Sequence, residues 1–541
     1  MGRAFSSSYL AREAAACAFF PHDFRDGQAR IARARAVARR TISPALAAVL
    51  REQQALLPAS PARQKNLQAL IDGRCAVVVS GQQVGLFLGP LYTFYKAASA
   101  IAVARAIEGE SGVRCVPLFW LQTEDHDFAE IAGCQVASTD GAPVTLTLAS
   151  EPAEEARRSV AHRMLGPEVT ALVEALGTHL GDGPGAQEVM AALRAHYAPG
   201  RPLAQAFAGA LATVFADEGL LFLDPRDPRV AALAAPVYRR SLEAAAVIDE
   251  RLGARASAMN DAGFIEQVPL RPGSSLLFFH ADDPRGPRHR LRRGEAPGQW
   301  RTTMGETVPE AALLRLLADT PLRFSTSALL RPIVQDTLLP TVAYVGGPAE
   351  VSYFAQLMPL YPLFDLTPPL IVPRARFTCI DARARRLLEA LKLEPRDLGR
   401  PTAELLARLP VSRPADAPDP AALKRIVAEQ LTAQVAGIAD AIVAARPHLA
   451  RAAARTRHSV AHALTRLTDR YARELLDADV VTRRQLQRLQ DLLYPGGAPQ
   501  ERVYGWPTLA AQLGPATLKR LVFEQLAQAG PYVTEALELR P

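Results

Sequence analysis

The chain has 541 residues, of which 49% are hydrophobic and 22% are charged. This length exceeds what one hydrophobic core normally supports, so we expect at least two compact units, and the composition excludes extended disorder. The formal net charge is +7, and the basic residues are interspersed with acidic ones instead of forming long runs. This pattern favours a solvated surface over a basic pocket for small anions, and we expect no nucleic-acid partner.

The cysteines and the apolar runs indicate the cellular compartment of the protein. The five cysteines are odd in number, lie far apart and form no C-x-x-C pair, so we expect reduced thiols in a cytoplasm and neither a disulfide framework nor a zinc site. No N-terminal run has the character of a signal peptide, and no stretch reaches about 18 uninterrupted apolar residues. We therefore expect a cytoplasmic protein with no membrane partner.

An α/β unit begins near residue 76. The apolar, β-branched run Ala76–Ser80 predicts a buried parallel strand, 91–108 predicts a helix, and Val116–Trp120 predicts a second buried strand. Strand, loop, helix and strand in this order form the core of an open α/β sheet. The predicted fold class is therefore α/β, with a Rossmann-like core over residues 1–378.

Two insertions interrupt this predicted core. Residues 138–215 change to helical periodicity with Gly- and Pro-rich linkers, which indicates a mostly helical insertion. A second insertion is predicted at about 255–320, with a hairpin turning at Pro272-Gly273. The core resumes with a strand at Thr341–Val345 and a helix that opens near Ala349.

Beyond Cys379 the strands give way to a proline-rich connector, at about 395–420, and then to helices. Apolar residues step by threes and fours from Leu423 to Leu449 and again from Val460 to Leu475, a pattern typical of long paired helices. Pro447 predicts a break between them. We therefore predict a helical coiled-coil domain over 379–495 and a C-terminal segment, 496–541, that packs back on the core.

A glycine-punctuated loop joins the first strand to its helix. Glycines let backbone N–H groups approach an anion, and the following helix N-terminus adds partial positive charge. The loop matches neither the Walker A nor the G-x-G-x-x-G spacing, so a tight turn with a snorkelling lysine stays an alternative. The candidate binding residues are Ser80, Gly81, Gln82, Gln83, Gly89, Pro90 and Thr93, with Lys96 as a catalytic candidate.

Four polar residues, Glu124-Asp125-His126-Asp127, follow the second strand. Ligands of open α/β sheets bind at such strand ends, which places this segment over the same crevice as the glycine loop. If the segment stays extended, Asp125 and Asp127 point to one side while Glu124 and His126 point to the other. His126 is the candidate for acid/base chemistry, with Asp125 as the second choice, and the alternative is a histidine with only a structural hydrogen bond.

A third candidate segment repeats the arrangement of strand, glycine-rich loop and helix, so its backbone amides are predicted to face a ligand. Arg331 is a candidate for clamping a phosphate or carboxylate, and an ion pair between Arg331 and Asp336 that holds a loop is the alternative. The other candidates here are binding residues, namely Gln335, Asp336, Tyr344, Gly346, Gly347 and Glu350.

Taken together, these segments resemble the cysteine-adding ligases of bacillithiol biosynthesis. The resemblance rests on four stretches in family-like order and covers essentially the whole chain: SGQQVGLFLGPLYTFYKA at 80–97, VPLFWLQTEDHDFAEI at 116–131, RPIVQDTLLPTVAYVGGPAEVSYFAQL at 331–357 and YPGGAPQER at 494–502. It implies a Rossmann-like core similar to class I aminoacyl-tRNA synthetases, with connecting insertions and a coiled-coil domain that supports a homodimer.

The resemblance also implies an activity, the joining of the carboxyl group of L-cysteine to the amine of glucosaminyl-malate. A carboxylate is a poor electrophile, so we expect ATP or another nucleotide as co-substrate, with or without Mg²⁺. In this hypothesis Gly81, Gln82, Gln83 and Gly89 line the anion site, and Lys96 and Arg331 offset charge that develops during transfer. His126 or Asp125 takes a proton from the attacking ammonium group. Gln335, Asp336 and Glu350 recognise hydroxyls or the cysteine ammonium.

Two other functions fit the same residues. One is a nucleotidyl transferase, or another ATP-using transferase, with a different amine acceptor. The other is a non-catalytic nucleotide-binding scaffold whose coiled coil recruits partners, which would bind its ligand without turnover.

Overall fold

The computed structural model of the chain describes residues 3–152, 155–400, 404, 405, 409, 417–478 and 480–541. Half of the predicted proline-rich connector, namely 401–403, 406–408 and 410–416, lies outside the described residues. The chain divides into two compact units. The first comprises 1–139, 144–377 and 504–539, and the second comprises 140–143, 378–503 and 540–541.

The strands belong mainly to the first unit. In chain order they are β1 (Cys75–Gln82), β2 (Arg114–Leu121), β3 (Gly133–Ala137), β4 (Pro143–Thr147), β5 (Leu221–Leu223), β6 (Ser274–His280), β7 (Arg288–Arg293), β8 (Gln299–Thr302), β9 (Thr307–Pro309), β10 (Phe324–Thr326), β11 (Thr341–Gly346), β12 (Leu370–Pro373), β13 (Arg376–Cys379) and β14 (Ala536–Leu539).

The α-helices fall into an early and a late group. The early helices are α1 (Phe5–Leu10), α2 (Ala14–Cys17), α3 (Gly27–Val37), α4 (Pro44–Ala55), α5 (Pro61–Asp72), α6 (Tyr92–Ser111), α7 (Phe128–Ala132), α8 (Glu168–Leu180), α9 (Pro184–Arg194), α10 (Leu203–Val214), α11 (Pro228–Glu243), α12 (Ala245–Asp261), α13 (Glu310–Asp319), α14 (Arg331–Leu338) and α15 (Pro348–Leu357). The late helices are α16 (Ala382–Leu391), α17 (Pro420–Arg425), α18 (Thr432–Ala445), α19 (Ala450–Ala478), α20 (Val480–Leu493), α21 (Gln500–Val503), α22 (Trp506–Leu513) and α23 (Pro515–Ala529).

A five-stranded parallel sheet in the order β12-β11-β1-β2-β5 forms the centre of the first unit. Its central strands are buried almost from end to end, as the unbroken apolar runs predicted. Helix α6 makes the crossover between β1 and β2, and Gly112 ends it with φ +70°. The predicted Rossmann-like α/β fold is confirmed, and the carboxyl ends of β11, β1 and β2 lie side by side.

A second sheet of the first unit is antiparallel, in the order β10-β6-β7-β8-β9. The prediction of a hairpin that turns at Pro272-Gly273 is wrong. Those two residues only lead into β6, which runs to His280 and pairs with β7 from Arg288 onward. Residues 265–271, just before Pro272, form no strand, and the actual turn lies in the polar stretch 281–287.

The second unit contains the late helices α16–α20 and the apolar cluster between α16 and α20. Helix α18 ends at Ala445, and a short 3-10 turn at Pro447–Leu449 separates it from the 29-residue helix α19. The predicted helix break at Pro447 is therefore observed, and its cause is the missing N–H and fixed φ of proline.

Among the residues that the structure describes, one helical stretch, Ala422–Ala445, is long and apolar enough to cross a membrane by length and composition alone. Glu429 and Asp440 interrupt its apolar run, and 11% of its most apolar window is buried inside the structure.

The contact between β1 and β2 explains one of the loop glycines. A Cβ at Gly81 would lie 2.5 Å from the Trp120 carbonyl oxygen, so we expect Gly81→Ala to lower the free energy of unfolding by about 1–3 kcal/mol. The matched control is Gly109→Ala inside α6, where a Cβ would meet nothing within 4 Å, and this change should raise stability by about 1 kcal/mol. Urea unfolding of both variants measures the difference, and equal stabilities would contradict the close contact.

Candidate functional site

Side chains and backbone groups from three neighbouring strand ends form one hydrogen-bonded cluster. Gln82 and Gln83 come from the end of β1, Asp125 follows β2, and Glu350 opens the helix after β11. Lys96 Nζ donates to the Gln82 side-chain oxygen at 2.9 Å, and Gln83 Nε2 lies 3.1 Å from Asp125 Oδ2. The carboxyl ends of parallel strands next to a crossover are where open α/β sheets bind ligands. We take this cluster as the candidate active site.

A buried ion pair between Lys96 and Glu350 lies at one end of the cluster. The Lys96 ammonium also donates to the Gly81 carbonyl at 2.9 Å, so its three protons all have protein acceptors. The Glu350 carboxylate accepts from Tyr344 and, at 2.7 Å, from the Gly347 backbone N–H. Burial alone would raise the pKa of Glu350, but Lys96 and Tyr344 hold that pKa below its ordinary value. Glu350 is therefore ionised.

This ion pair corrects one expectation from the sequence. The Gly347 amide was predicted to face an external anion, but Glu350 already occupies it in a capping interaction at the start of α15. The physical reason is the spacing, since a glutamate three residues after the first capping position reaches back to its backbone N–H. The second glycine-rich turn thus contains its own carboxylate.

Asp125 and His126 lie at the other end of the cluster and share one partner, Arg288. The Arg288 guanidinium is 3.1 Å from Asp125 Oδ1 and 3.0 Å from His126 Nδ1. Asp125 also accepts the His126 backbone N–H at 2.7 Å. Although burial opposes it, these contacts hold the pKa of Asp125 well below its usual range. Asp125 is therefore a fixed anion and a weak proton acceptor.

The condition for the alternation at 124–127 is not met, because the chain turns at Thr123-Glu124, one residue beyond β2, instead of staying extended. The turn sends Glu124 inward, where its carboxylate accepts from the Thr326 hydroxyl, and burial raises its pKa. Asp127 is exposed and caps α7 by accepting the Glu130 backbone N–H at 3.2 Å. Only Asp125 and His126 of this segment join the cluster.

The Arg331 region lies deeper than the sequence suggested. Arg331 is 3% exposed and donates to Gln335 and to Tyr353, so the alternative ion pair with Asp336 does not form. Asp336 is 2% exposed and accepts from Tyr361 and Gln335, and burial raises its pKa. Gln335 and Asp336 therefore belong to an internal hydrogen-bond network, which corrects their assignment as ligand contacts. The polar face of α14 turns inward because these partners satisfy it.

Several loop candidates have structural contacts. Ser80 donates to the Val345 carbonyl between β1 and β11, and the Gly346 carbonyl accepts the Arg374 backbone N–H. Pro90 pairs with Gly505, which lies over the turn next to Gly89. The loop between β1 and α6 is therefore partly closed by the segment at 504–505, and its role as an anion cradle stays a prediction.

Thr93 has a different environment. Its hydroxyl is fully buried, has no hydrogen-bond partner among the described residues and faces Gly89.

Two members of the cluster were missed by the sequence reasoning. Arg288 comes from β7, 162 residues after His126, and no local pattern connects the two. Glu130 accepts from Gln83 Nε2 at 2.7 Å. Its position three residues after Asp127 is typical of the first turn of a capped helix, so the sequence could have placed it beside this segment. Partial burial and the nearby Asp125 and Asp127 raise the pKa of Glu130, although its side chain reaches the surface.

Lys96 and Arg331 both lie near Glu350, so this end of the cluster has more positive than negative charge. A Cβ at Gly347 would lie 3.8 Å from both Lys96 Cε and Arg374 Nε. This surplus fits an anionic group such as a phosphate or a carboxylate. Within the described part of the chain, no group of three or more His, Cys, Asp and Glu residues could hold a metal ion.

The fold and the cluster together define a Rossmann-like α/β protein with a polar site at the ends of its central parallel strands, and with a separate helical unit. Comparison with known families is more specific. Residues 2–375 match the model described as bacillithiol biosynthesis BshC, N-terminal Rossmann-like domain, and residues 377–530 match bacillithiol biosynthesis BshC, C-terminal coiled-coil domain.

Individual relatives agree with these matches. A protein from Koribacter versatilis is 35% identical over 460 residues, which cover 85% of this chain and 83% of the relative. A protein from Solibacter usitatus is 33% identical over 85% of this chain and 83% of its own length, and one from Symbiobacterium thermophilum is 30% identical over 90% and 88%. All three carry the name "Putative cysteine ligase BshC".

The chain therefore belongs to the BshC family of bacillithiol biosynthesis. This confirms the family predicted from the four sequence stretches and the predicted enzyme class, a ligase.

The ion pair at the site can be tested by its effect on stability. Lys96→Met leaves the Glu350 carboxylate buried without its cation, so we expect the free energy of unfolding to fall by about 3 kcal/mol or more. The double variant Lys96→Met/Glu350→Gln removes the unpaired charge and should recover a large part of that loss. Urea unfolding of the single and double variants gives the coupling energy, and strictly additive losses would show that the pair is not coupled.

Proposed function

We propose that the protein catalyses the ATP-dependent joining of the L-cysteine carboxyl group to the amine of glucosaminyl-malate. Family membership supports the reaction class, and the observation that carries the site assignment is the meeting of Gln83, Asp125, His126 and the Lys96–Glu350 pair at adjacent strand ends. The five cysteines are all free thiols, which supports a reducing cytoplasm as the place of action.

Amide formation from a carboxylate requires activation. In the proposed reaction a cysteine carboxylate oxygen attacks a phosphorus atom of ATP, and a P–O bond to the leaving pyrophosphate or ADP breaks. The amine of glucosaminyl-malate then attacks the acyl carbon and displaces AMP or phosphate, and the ammonium proton passes to a base. Because water competes with the amine for the activated acyl group, positioning supplies much of the catalysis.

The charge distribution suggests where the reactants bind. The cationic end around Lys96 and Arg331 suits the phosphates or the carboxylates of the malate group, because a charge surplus in a buried region favours an anion. Lys96 acts there mainly through Glu350 and Gln82, since its three protons are already bound. The end with Asp125 and His126 is more exposed and suits the attacking amine.

A direct assay tests this proposal. The purified protein is incubated with L-cysteine, glucosaminyl-malate and ATP. Mass spectrometry then measures the cysteinyl amide of glucosaminyl-malate, together with AMP and ADP. We expect the amide to form only when all three substrates are present. His126→Ala should lower the rate about 100-fold or more, because the lost ring contacts the reacting groups.

The matched control is His458→Ala, an exposed histidine of the helical unit, which should leave the rate unchanged. Transfer to a different amine, with no product from glucosaminyl-malate, would replace the proposal by another ATP-using transferase. Tight nucleotide binding without any turnover would indicate a scaffold.

We further propose that the helical unit makes the protein a homodimer. Apolar side chains of helices α18 and α19 face solvent in the single chain, with Ile438 and Leu467 each 64% exposed and Ile442 45% exposed. Apolar side chains grouped on long helices usually mark an interaction surface.

The dimer proposal has its own test. Ile438→Glu/Ile442→Glu should convert the dimer to monomers on light scattering, because each glutamate would place a charge in the apolar contact. The matched control, Ile265→Glu, changes an isoleucine of the first unit that is 56% exposed and should leave the mass unchanged. A dimeric double variant, or a monomeric unsubstituted protein, would refute the proposal.

A further inference from the structure

The Arg288 guanidinium is fixed in position next to the His126 ring. The Arg288 side chain is 3% exposed, and its guanidinium lies 4.1 Å from the centre of the Phe278 ring. Its Nε donates to Ser325 Oγ at 3.1 Å, and its Nη2 donates to the Thr326 carbonyl at 2.9 Å. These contacts come from strands of the antiparallel sheet, so they fix the plane of the guanidinium before any substrate binds.

The remaining nitrogen, Nη1, faces the active site. It lies 3.1 Å from Asp125 Oδ1 and 3.0 Å from His126 Nδ1. A guanidinium has five N–H donors and no acceptor, so a hydrogen bond to His126 Nδ1 requires a lone pair on that nitrogen. The ring proton of a neutral His126 then sits on Nε2.

The opposite arrangement agrees less well with the geometry. A proton on Nδ1 would point to Asp125 Oδ1 at 3.3 Å, but it would also oppose the N–H of Arg288 at 3.0 Å. Asp125 Oδ1 already accepts the His126 backbone N–H at 2.7 Å and Arg288 at 3.1 Å. With the ring proton on Nε2, Arg288 donates to both Asp125 Oδ1 and His126 Nδ1, and no two donors face each other.

We propose that Arg288 is a positioning residue that holds His126 as the neutral Nε2–H tautomer, so that His126 serves the ligation as a hydrogen-bond donor and not as the proton acceptor. This inference rests on the proposed function for the reaction and on geometry alone for the tautomer. Among the described residues none hydrogen-bonds to Nε2, and 29% of the His126 side chain is exposed, so this N–H is available to a substrate.

The tautomer decides what His126 does in the chemistry. Attack of the amine on the activated acyl carbon turns the carbonyl oxygen into an oxyanion, and an N–H donor stabilises that charge. The proton that the amine loses goes to another base. Glu130 is placed for this role, because its carboxylate lies at the surface next to Gln83 and its pKa is raised by burial and by its acidic neighbours.

The tautomer can be read in the full-length protein without substrates. In a sample labelled with ¹⁵N-histidine, long-range ¹H–¹⁵N correlation distinguishes protonated from unprotonated ring nitrogens, and loss of a signal in His126→Gln assigns His126. His280 is an internal reference of the opposite kind, because its Nδ1 lies 2.7 Å from the Gly286 carbonyl and must carry the proton. We expect His126 to show an unprotonated Nδ1 and a protonated Nε2.

Substitutions of Arg288 extend the measurement. In Arg288→Met the donor is lost, so a substantial fraction of His126 should move its proton to Nδ1, whereas Arg288→Lys keeps a donor and should preserve more of the original tautomer. A proton on Nδ1 in the unsubstituted protein would overturn the proposal, whether or not the Arg288 variants fold.

Kinetics give a second readout. His126→Gln keeps an N–H donor near the position of Nε2, so kcat should stay within about 10-fold of the unsubstituted enzyme, while His126→Ala should lose about 100-fold or more. Equal losses in both variants would assign His126 to proton transfer and overturn the donor role. Absence of cysteine ligation by the unsubstituted protein would instead refute the proposed function and leave the spectroscopic result unaffected.

Discussion

The candidate site depends on one buried ion pair, the contact of Lys96 with Glu350. Helix α6 contributes the ammonium, and helix α15 contributes the carboxylate, so the pair connects the two crossover helices at the ends of β1 and β11. A buried charge without a partner destabilises the fold. The Glu350 carboxylate is stabilised by Lys96 and by hydrogen bonds from Tyr344 and the Gly347 backbone. The pair therefore fixes the shape of both glycine-bearing turns before any ligand arrives.

The inserted antiparallel sheet has a comparable function at the opposite end of the cluster. Its Arg288 and Thr326 contact the turn that follows β2, where Asp125 points toward solvent and Glu124 points inward. Because the donors of Arg288 are satisfied from several directions, the acidic turn meets a rigid positive group. Catalytic groups held in this way lose little freedom when substrate binds, which is how a fixed site lowers a barrier. The insertion therefore contributes residues to the candidate site.

The two ends of the cluster differ in charge and in access. The end around Lys96 is buried and has a surplus of positive charge, whereas the end around Asp125 and Glu130 is more exposed and acidic. A ligase needs both environments, because it must neutralise a phosphate or carboxylate while an amine loses a proton nearby. Gln82, the last residue of β1, and Gln83 lie between them and hydrogen-bond to the two ends, so two consecutive residues connect the halves of the candidate site.

The parallel strands, the crossover helix, the break at Pro447 and the family could all be predicted from the sequence. The structural features among them are local, because apolar runs, periodicity and turn residues act over a few positions. The partners of the polar residues became apparent in the folded chain. Arg288 meets His126 across 162 residues, and Asp336 turns inward to Tyr361, although Asp336 was predicted as a ligand contact. Buried polar groups form hydrogen bonds with the residues that lie next to them in the folded chain. These partners are often distant in sequence, so local spacing does not predict them.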